Sequence, residues 1–231
     1  MVKNRSISLK INNFLYQFKV LNRIYLIILL FFPLITSSQT KEKAKYSHKA
    51  VSLQKKAVKF QFSITGTEKE IYTKMLKMLD SATEIEPTYA LAYRTKIIPL
   101  IHLKKYNQAL LILYKVRKID PTNLKDIIKQ GIIYEVFLKK PTEATIFYKQ
   151  AYEIALKKKN TTITKNSFPD QAIAYCLMFY KGKEAAVNYL SRCSKNYNDK
   201  KSMDQIKQLQ TLIRSSKLGL SEKKDMLNSN T

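Results

Sequence analysis

The sequence predicts an all-α fold, and three observations support this prediction. The chain of 231 residues contains only 4 glycines and 6 prolines, which suits helices better than a turn-rich β fold. Apolar residues recur at three- and four-residue intervals, the spacing of one helix face. The segment Glu-Ile-Glu-Pro-Thr at residues 84–88 returns as Lys-Ile-Asp-Pro-Thr at residues 118–122, 34 positions later. Such a period indicates stacked helical hairpins, because one hairpin cannot bury its apolar face alone.

Residues 1–38 have the pattern of a secretory signal peptide. Five basic residues and no acidic residue precede an apolar run at residues 24–35, and small polar residues follow at 36–38. The run of about 12 residues is shorter than the roughly 20 that a membrane-spanning helix needs. We expect cleavage after Ser38 and export to the periplasm or the medium, with an uncleaved signal anchor as the alternative.

The chain is strongly basic, with a formal net charge of +25. Cleavage after Ser38 would remove five of 42 basic residues and none of 17 acidic residues, which leaves +20. For an exported protein this charge favours an anionic membrane surface, an anionic envelope polymer or an acidic protein as partner, and no nucleic acid is expected. The other interpretation is a solvated lysine-rich surface without a specific role.

The first elements follow from local signals. Residues 39–46 predict a polar leader, and a helix begins near Ser47 and runs to about residue 63. Thr67 and Glu70 have the spacing of a capping box, so a second helix begins there. This helix ends at Glu86, because the residue before a proline disfavours the α region.

Three further hairpins and a last helix complete the chain. The second hairpin is predicted at residues 88–103 and 106–120, with a kink at Pro99 and a turn at Lys104 and Lys105. The third covers residues 123–138 and 141–158. A polar connection at 159–168 precedes a divergent fourth hairpin at 169–198, which turns near Gly182. Residues 199–231 predict a capping helix, at about 202–216, and a frayed tail.

Equivalent positions of successive second helices repeat with steps of 34 and 35. They form three sets: Met75, Ala109 and Ala144; Leu79, Leu113 and Tyr148; Ala82, Val116 and Ala151. With the segments Tyr-Asn-Gln-Ala at 106–109 and Lys-Ile-Asp-Pro at 118–121, and with Gly131 and Tyr134 on a first helix, this pattern resembles the tetratricopeptide repeat (TPR) family. The resemblance implies a short TPR-like α-solenoid of about three to four helix-turn-helix repeats over residues 47–158, closed by a C-terminal capping helix.

The resemblance also implies a binding surface, because TPR proteins commonly hold a partner segment in the groove lined by their first helices. The implied groove positions are Leu91, Arg94, Ile98 and Ile101 in the second hairpin, and Lys125, Ile128, Ile132 and Glu135 in the third. We expect a protein or peptide partner there. The alternative is that a neighbouring helix covers the four isoleucines.

Nothing in the sequence predicts an enzyme, a metal site or a cofactor site. His48 and His102 are isolated, whereas a zinc site normally needs four convergent ligands. Four scattered glycines form neither a P-loop nor a dinucleotide-binding loop. Cys176 and Cys193 would lie about six residues apart along one hairpin, or about 9 Å, which is too far for a disulfide. We therefore expect both to act as small buried apolar residues.

These observations favour an exported, non-catalytic scaffold that binds a protein or peptide partner through a TPR-like surface. Two alternatives stay open. One is a basic envelope protein that adheres electrostatically to an anionic membrane or envelope polymer. The other is a TPR adaptor that its uncleaved signal anchors to the membrane.

Overall fold

The structure is a computed structural model that describes residues 45–62, 66–161 and 169–216, together with Lys223 and Leu227. The chain divides into two compact units, residues 1–48 with Thr231 and residues 49–230. Of the first unit only residues 45–48 are described, where the Lys45 ammonium lies 5.5 Å from the centre of the Tyr46 ring. The predicted signal peptide at residues 1–38 lies outside the described residues, as do most of the predicted connection at 159–168 and most of the predicted tail.

Every regular element of the described residues is a helix, which confirms the all-α prediction for them. The α-helices are α1 (His48–Phe60), α2 (Glu68–Ile85), α3 (Ala90–Thr95), α4 (Ile97–His102), α5 (Tyr106–Ile119), α6 (Leu124–Ile132), α7 (Pro141–Thr161), α8 (Pro169–Lys181), α9 (Lys183–Cys193) and α10 (Lys200–Ser215). A π-helix (Ile133–Phe137) continues α6, and a 3-10 helix (Ser194–Asn196) follows α9. None of these helices combines the length and apolar composition that a membrane span requires.

The predicted capping box begins α2. The Thr67 hydroxyl accepts the Glu70 backbone N–H at 3.3 Å, and the Thr67 N–H donates to the Glu70 carboxylate at 2.9 Å. These two bonds satisfy donors that the first helical turn otherwise leaves without partners. At its other end α2 stops at Ile85, one residue before the predicted end at Glu86.

Where the sequence predicts a kink at Pro99, the helix is interrupted at one residue, Lys96, between α3 and α4. Proline has no N–H to donate to the carbonyl four residues earlier, and its ring crowds that carbonyl. The backbone therefore leaves the α-helical pattern one turn before Pro99. Past the break, the Leu100 N–H donates to the Lys96 carbonyl at 3.2 Å, so the helix resumes at once.

Two lysines turn the chain between the helices of the second and third hairpins. Lys104 and Lys139 both have φ of 58°, in the left-handed region that few residues other than glycine enter. They are 35 positions apart and occupy the same place, at the end of α4 and at the end of the π-helix. The repeat seen in the sequence is therefore also a repeat of backbone conformation.

The third hairpin contains one residue more than the second, and the π-helix accommodates it. From Pro87 to Lys104 is 17 positions, whereas from Pro121 to Lys139 is 18. The Leu138 N–H donates to the Ile133 carbonyl five residues earlier, at 3.1 Å. A π-helical turn holds one more residue than an α-helical turn, so the turn at Lys139 keeps its place. The sequence prediction of one regular helix over residues 123–138 missed this feature.

Later elements begin and end close to the predicted residues. Helix α7 runs three residues past its predicted end at residue 158, and α9 ends at Cys193, before a 3-10 turn. The fourth hairpin turns at Gly182, whose φ of 88° favours glycine. Helix α10 begins after Asp199, whose side chain accepts the Ser202 N–H at 2.8 Å.

Helices pack mainly against their neighbours in the chain, as hairpins α3–α5, α6–α7 and α8–α9, with α10 against α9. The three repeated sets of positions on α2, α5 and α7 are all buried, and Tyr148 is the most exposed of them at 3%. The repeat period thus selects the residues that fill the space between successive helices.

Cys176 and Cys193 are buried and free thiols, which agrees with their predicted packing role.

Candidate functional site

The four isoleucines of the predicted groove lie in the protein interior. Ile98, Ile128 and Ile132 are at most 2% exposed, and Ile101 is 7% exposed. Ile101, Ile128 and Ile132 belong to the main core, and Ile98 packs with Tyr72 and Met75 of α2. The structure therefore favours the alternative that neighbouring helices cover these residues, and a partner could reach them only by separating helices.

Arg94, another predicted groove residue, is held in an ion-pair cluster that joins the second hairpin to the third. Its Nε donates to Asp126 at 2.8 Å, and its Nη2 donates to Asp120 at 2.7 Å. Asn123, the N-cap of α6, donates to the same Asp120 oxygen at 3.2 Å. The guanidinium of Arg94 is thus used inside the fold, where it fixes the start of α6 against α3.

The cluster is strongly desolvated around Asp126, whose side chain is only 2% exposed. Burial raises the pKa of Asp126 above its usual range, although Arg94 opposes this shift. Lys129, one turn further along α6, is half-buried, and desolvation lowers its pKa to about 8. Removing one partner of such a buried pair is strongly destabilising, because it leaves the other charge buried and unpaired.

Glu135, the last predicted groove residue, lies in the π-helix and binds a residue from the C-terminal segment. Lys223 Nζ lies 2.6 Å and 2.7 Å from the two Glu135 carboxylate oxygens. The Tyr148 hydroxyl donates to the same carboxylate at 2.7 Å. Of the predicted positions, Leu91 is half-buried and Lys125 is exposed, so the structure does not bring the eight residues together as one open surface.

The largest exposed apolar side chains of the second and third hairpins lie on their second helices instead. Leu111 on α5 is 67% exposed and Ile146 on α7 is 63% exposed. Tyr114 is 40% exposed, and its ring meets that of Phe147 edge-on with centres 6.3 Å apart. We call these four residues the α5–α7 patch: Leu111, Tyr114, Ile146 and Phe147.

The two aromatic side chains of the patch, Tyr114 and Phe147, both contact Tyr134. The Phe147 ring stacks on the Tyr134 ring, with centres 5.2 Å apart and planes 12° from parallel. Desolvation and a hydrogen bond with Tyr134 raise the pKa of Tyr114 to about 12, so this hydroxyl stays neutral at physiological pH. Aromatic groups fixed in this way lose little conformational entropy when a partner covers them.

The repeat register explains why the patch spans two hairpins. Leu111 and Ile146 are 35 positions apart, like Ala109 and Ala144, so they occupy equivalent places on successive second helices. The equivalent place on α2 is Lys77, which is exposed. The apolar surface is therefore specific to α5 and α7, and Lys77 shows that a lysine is compatible with this helix position.

A third cluster surrounds Asp170 near the start of α8. Its buried carboxylate accepts hydrogen bonds from Lys159 at 2.6 Å, Tyr189 at 2.5 Å and Tyr197 at 2.7 Å. Burial would raise the pKa of Asp170, but these three hydrogen bonds bring it below its usual range. Because the donors come from α7, α9 and the segment after the 3-10 helix, the cluster joins these three elements to α8. No motif in the sequence predicts this cluster.

His102 and Glu68 form a further polar contact, at the protein surface. The His102 Nδ1 lies 2.7 Å from the Glu68 carboxylate, and its ring stacks on Tyr72 with centres 4.3 Å apart. A depression of about 250 Å³ lies beside them. Within the described ranges, no three His, Cys, Asp or Glu side chains converge as metal ligands.

No protein-family model and no curated protein sequence matches this chain. Of the candidate surfaces, the α5–α7 patch is open to a partner without any rearrangement of helices, whereas the predicted groove residues are mostly buried or paired.

Proposed function

We propose that this protein is an exported, non-catalytic, TPR-like scaffold that binds a protein partner through the α5–α7 patch. The observation that carries the proposal is the two-thirds exposure of Leu111 and Ile146 beside the fixed rings of Tyr114 and Phe147. Exposed apolar patches with polar rims mark interaction sites, and aromatic residues are enriched in such interfaces. The resemblance to TPR proteins supports the scaffold part of the proposal. The proposed surface, however, lies on the second helices of the hairpins, whereas TPR proteins commonly bind partners along their first helices.

Lysines around the patch indicate what kind of partner fits it. Lys115 and Lys118 lie on the exposed face of α5, and Lys149 lies one turn beyond Ile146 on α7. An apolar partner segment flanked by acidic residues would complement both the patch and this rim. Rim charges mainly speed association and select among partners, whereas the buried apolar centre supplies affinity.

Export is part of the proposal and depends on residues 1–38. Removal of these residues would release the scaffold into the periplasm or the medium, and their retention would tether the same scaffold to the membrane. Intact mass of the mature protein distinguishes the two, because only cleavage after Ser38 yields a chain that begins at Gln39.

The patch is tested by capture of the partner from the envelope fraction on the tagged chain. The test variant carries Leu111→Lys and Ile146→Lys, which places two charges in the patch. The control variant carries Phe62→Lys and Ile85→Lys, which adds the same charge at exposed apolar positions outside the patch, 77% and 36% exposed. We expect one stoichiometric partner with the wild type and the control variant, and at least tenfold less of it with the test variant. Equal capture by all three chains would refute the patch.

Electrostatic adhesion to an anionic membrane is the second candidate function, and the lysine rim favours it. Both double variants gain two positive charges, so this mechanism predicts that both bind anionic phosphatidylglycerol vesicles at least as well as the wild type. Binding should then fall steeply with salt, because exposed charges are screened over about 8–10 Å. Loss of vesicle binding in the patch variant alone would instead indicate apolar insertion of the patch.

A further inference from the structure

Lys223, in the C-terminal segment, forms an ion pair with Glu135 of the third hairpin. Lys223 Nζ lies 2.6 Å and 2.7 Å from the Glu135 oxygens, although the two residues are 88 positions apart in the chain. The side chain of Lys223 is only 12% exposed. Its ammonium also lies 5.8 Å from the centre of the Tyr148 ring. A carboxylate and an aromatic face thus meet the same cation.

Leu227 provides the second contact of this segment. It is fully buried and belongs to the main hydrophobic core. Lys223 and Leu227 each have helical backbone conformation and are four positions apart in the chain, a spacing at which two side chains can bind neighbouring sites on one surface. The segment therefore presents one cation and one apolar anchor to the hairpins.

The third hairpin, and not the C-terminal segment, sets the geometry of this site. Glu135 lies in the π-helix, a distortion that often occurs at functional positions. Tyr148 is held on one side by close contact with Gly131 and on another by Phe179, with ring centres 5.3 Å apart. Its hydroxyl fixes the Glu135 carboxylate at 2.7 Å. The carboxylate that binds the Lys223 ammonium is thus positioned by residues of the third and fourth hairpins, and not by the C-terminal segment.

We propose that Glu135 and Tyr148 form a docking site for a segment carrying a lysine and, four residues later, a leucine, and that the chain's own C-terminal segment occupies this site in cis. This docking site does not include any residue of the α5–α7 patch, and its occupation does not depend on a partner bound to the patch. A segment from another protein would need the same lysine and leucine, and it would have to displace the tethered segment.

The test uses the full chain with Lys223→Glu and Leu227→Asp, which opens the site, and a fluorescent peptide of residues 217–231. A segment tethered in cis acts at an effective concentration of order millimolar. The opened chain should therefore bind the peptide at least about tenfold more tightly than the wild type, as measured by fluorescence anisotropy. A peptide carrying the same two substitutions should bind neither chain.

A charge exchange identifies the site. Glu135→Lys in the opened chain should abolish binding of the natural peptide, and a peptide with Lys223→Glu should recover part of the affinity. The matched control is Glu143→Lys, at an acid on α7 whose side chain is 43% exposed, and it should leave binding unchanged. Should the double variant unfold, Lys223→Ala alone takes its place, with an expected gain in peptide affinity of at least threefold.

Three results would overturn the proposal. The first is equal peptide affinity of the opened and wild-type chains. The second is no binding by an opened chain whose circular dichroism and melting temperature match those of the wild type. The third is a wild-type dimer in light scattering that the Lys223→Glu, Leu227→Asp variant abolishes, because the segment would then occupy the site of a second copy. Loss of the α5–α7 partner affects none of these measurements.

Discussion

Gly131→Ala should destabilise the protein, although alanine normally favours a helix. A Cβ atom at position 131 would lie 2.3 Å from Cε1 and 2.7 Å from Cδ1 of Tyr148. The Tyr148 ring has little freedom to move, since it is 3% exposed and its hydroxyl donates to Glu135. Relief of the overlap therefore requires α6 and α7 to separate or the Tyr148 hydroxyl to leave Glu135.

The magnitude follows from two opposing effects. Replacing glycine by alanine in a helix contributes about 1 kcal/mol of stability. Overpacking costs about 1–3 kcal/mol, and a lost hydrogen bond to a charged group costs about 1.5–3 kcal/mol. The net loss should be about 2 kcal/mol, which lowers the melting temperature of a chain of this size by about 4–8 °C.

Urea unfolding followed by circular dichroism at 222 nm measures this difference. The informative control is Gly131→Ala in a Tyr148→Leu background, where the ring is absent and alanine should stabilise by up to about 1 kcal/mol. The coupling between the two positions should thus reach about 3 kcal/mol. If Gly131→Ala stabilised the wild type as much as it stabilises the Tyr148→Leu variant, the close packing of these residues would be wrong.

The buried charges give three further predictions. Arg94→Met should lower the free energy of unfolding by about 3–5 kcal/mol, because it leaves the Asp126 carboxylate unpaired. Adding Asp126→Leu should restore most of this free energy. A double variant no more stable than Arg94→Met would contradict the ion-pair account. Lys129 has a pKa of about 8 against about 10.4 when unfolded, so the unfolded chain binds the proton more tightly. Stability of the wild type relative to Lys129→Met should therefore rise between about pH 8 and 10, and a constant difference in thermal scans would refute this. The pKa of Asp170 is lowered by folding, so its stabilisation is present above about pH 4 and is lost as the pH falls through the folded pKa. Asp170→Asn should be about 2 kcal/mol less stable at pH 7, and urea titrations should show this difference shrinking as the pH falls below about 4.

Local signals predicted the helices well because their causes are local. The Thr67 capping box and the break before Pro99 depend on backbone donors within one turn, and both are present. The repeated positions on α2, α5 and α7 are buried because equivalent residues of successive hairpins pack in equivalent surroundings. The π-helix follows from the extra residue between Pro121 and Lys139, but the period alone does not tell where a helix will accommodate it.

The site was harder to predict because it depends on residues that are distant in the chain. Helix periodicity identifies the apolar face of Ile98 and Ile128 but not whether another helix covers it. Glu135 meets Lys223 from 88 positions away, and the sequence carries no sign of that pairing. The sequence does contain a signal for Leu111 and Ile146. They are 35 positions apart, which matches the repeat, and they are apolar residues on a helix face that the structure leaves exposed.

The central claim is that the surface open to a partner lies on the second helices, at the α5–α7 patch. Photo-crosslinking in cells tests it most directly, with a photoreactive phenylalanine derivative placed in turn at positions 111, 146 and 77. Position 77 is the equivalent exposed place on α2, outside the patch. We predict one crosslinked protein of the same mass from positions 111 and 146 and none from position 77. Crosslinks of equal yield from all three positions, or from position 77 alone, would contradict the claim.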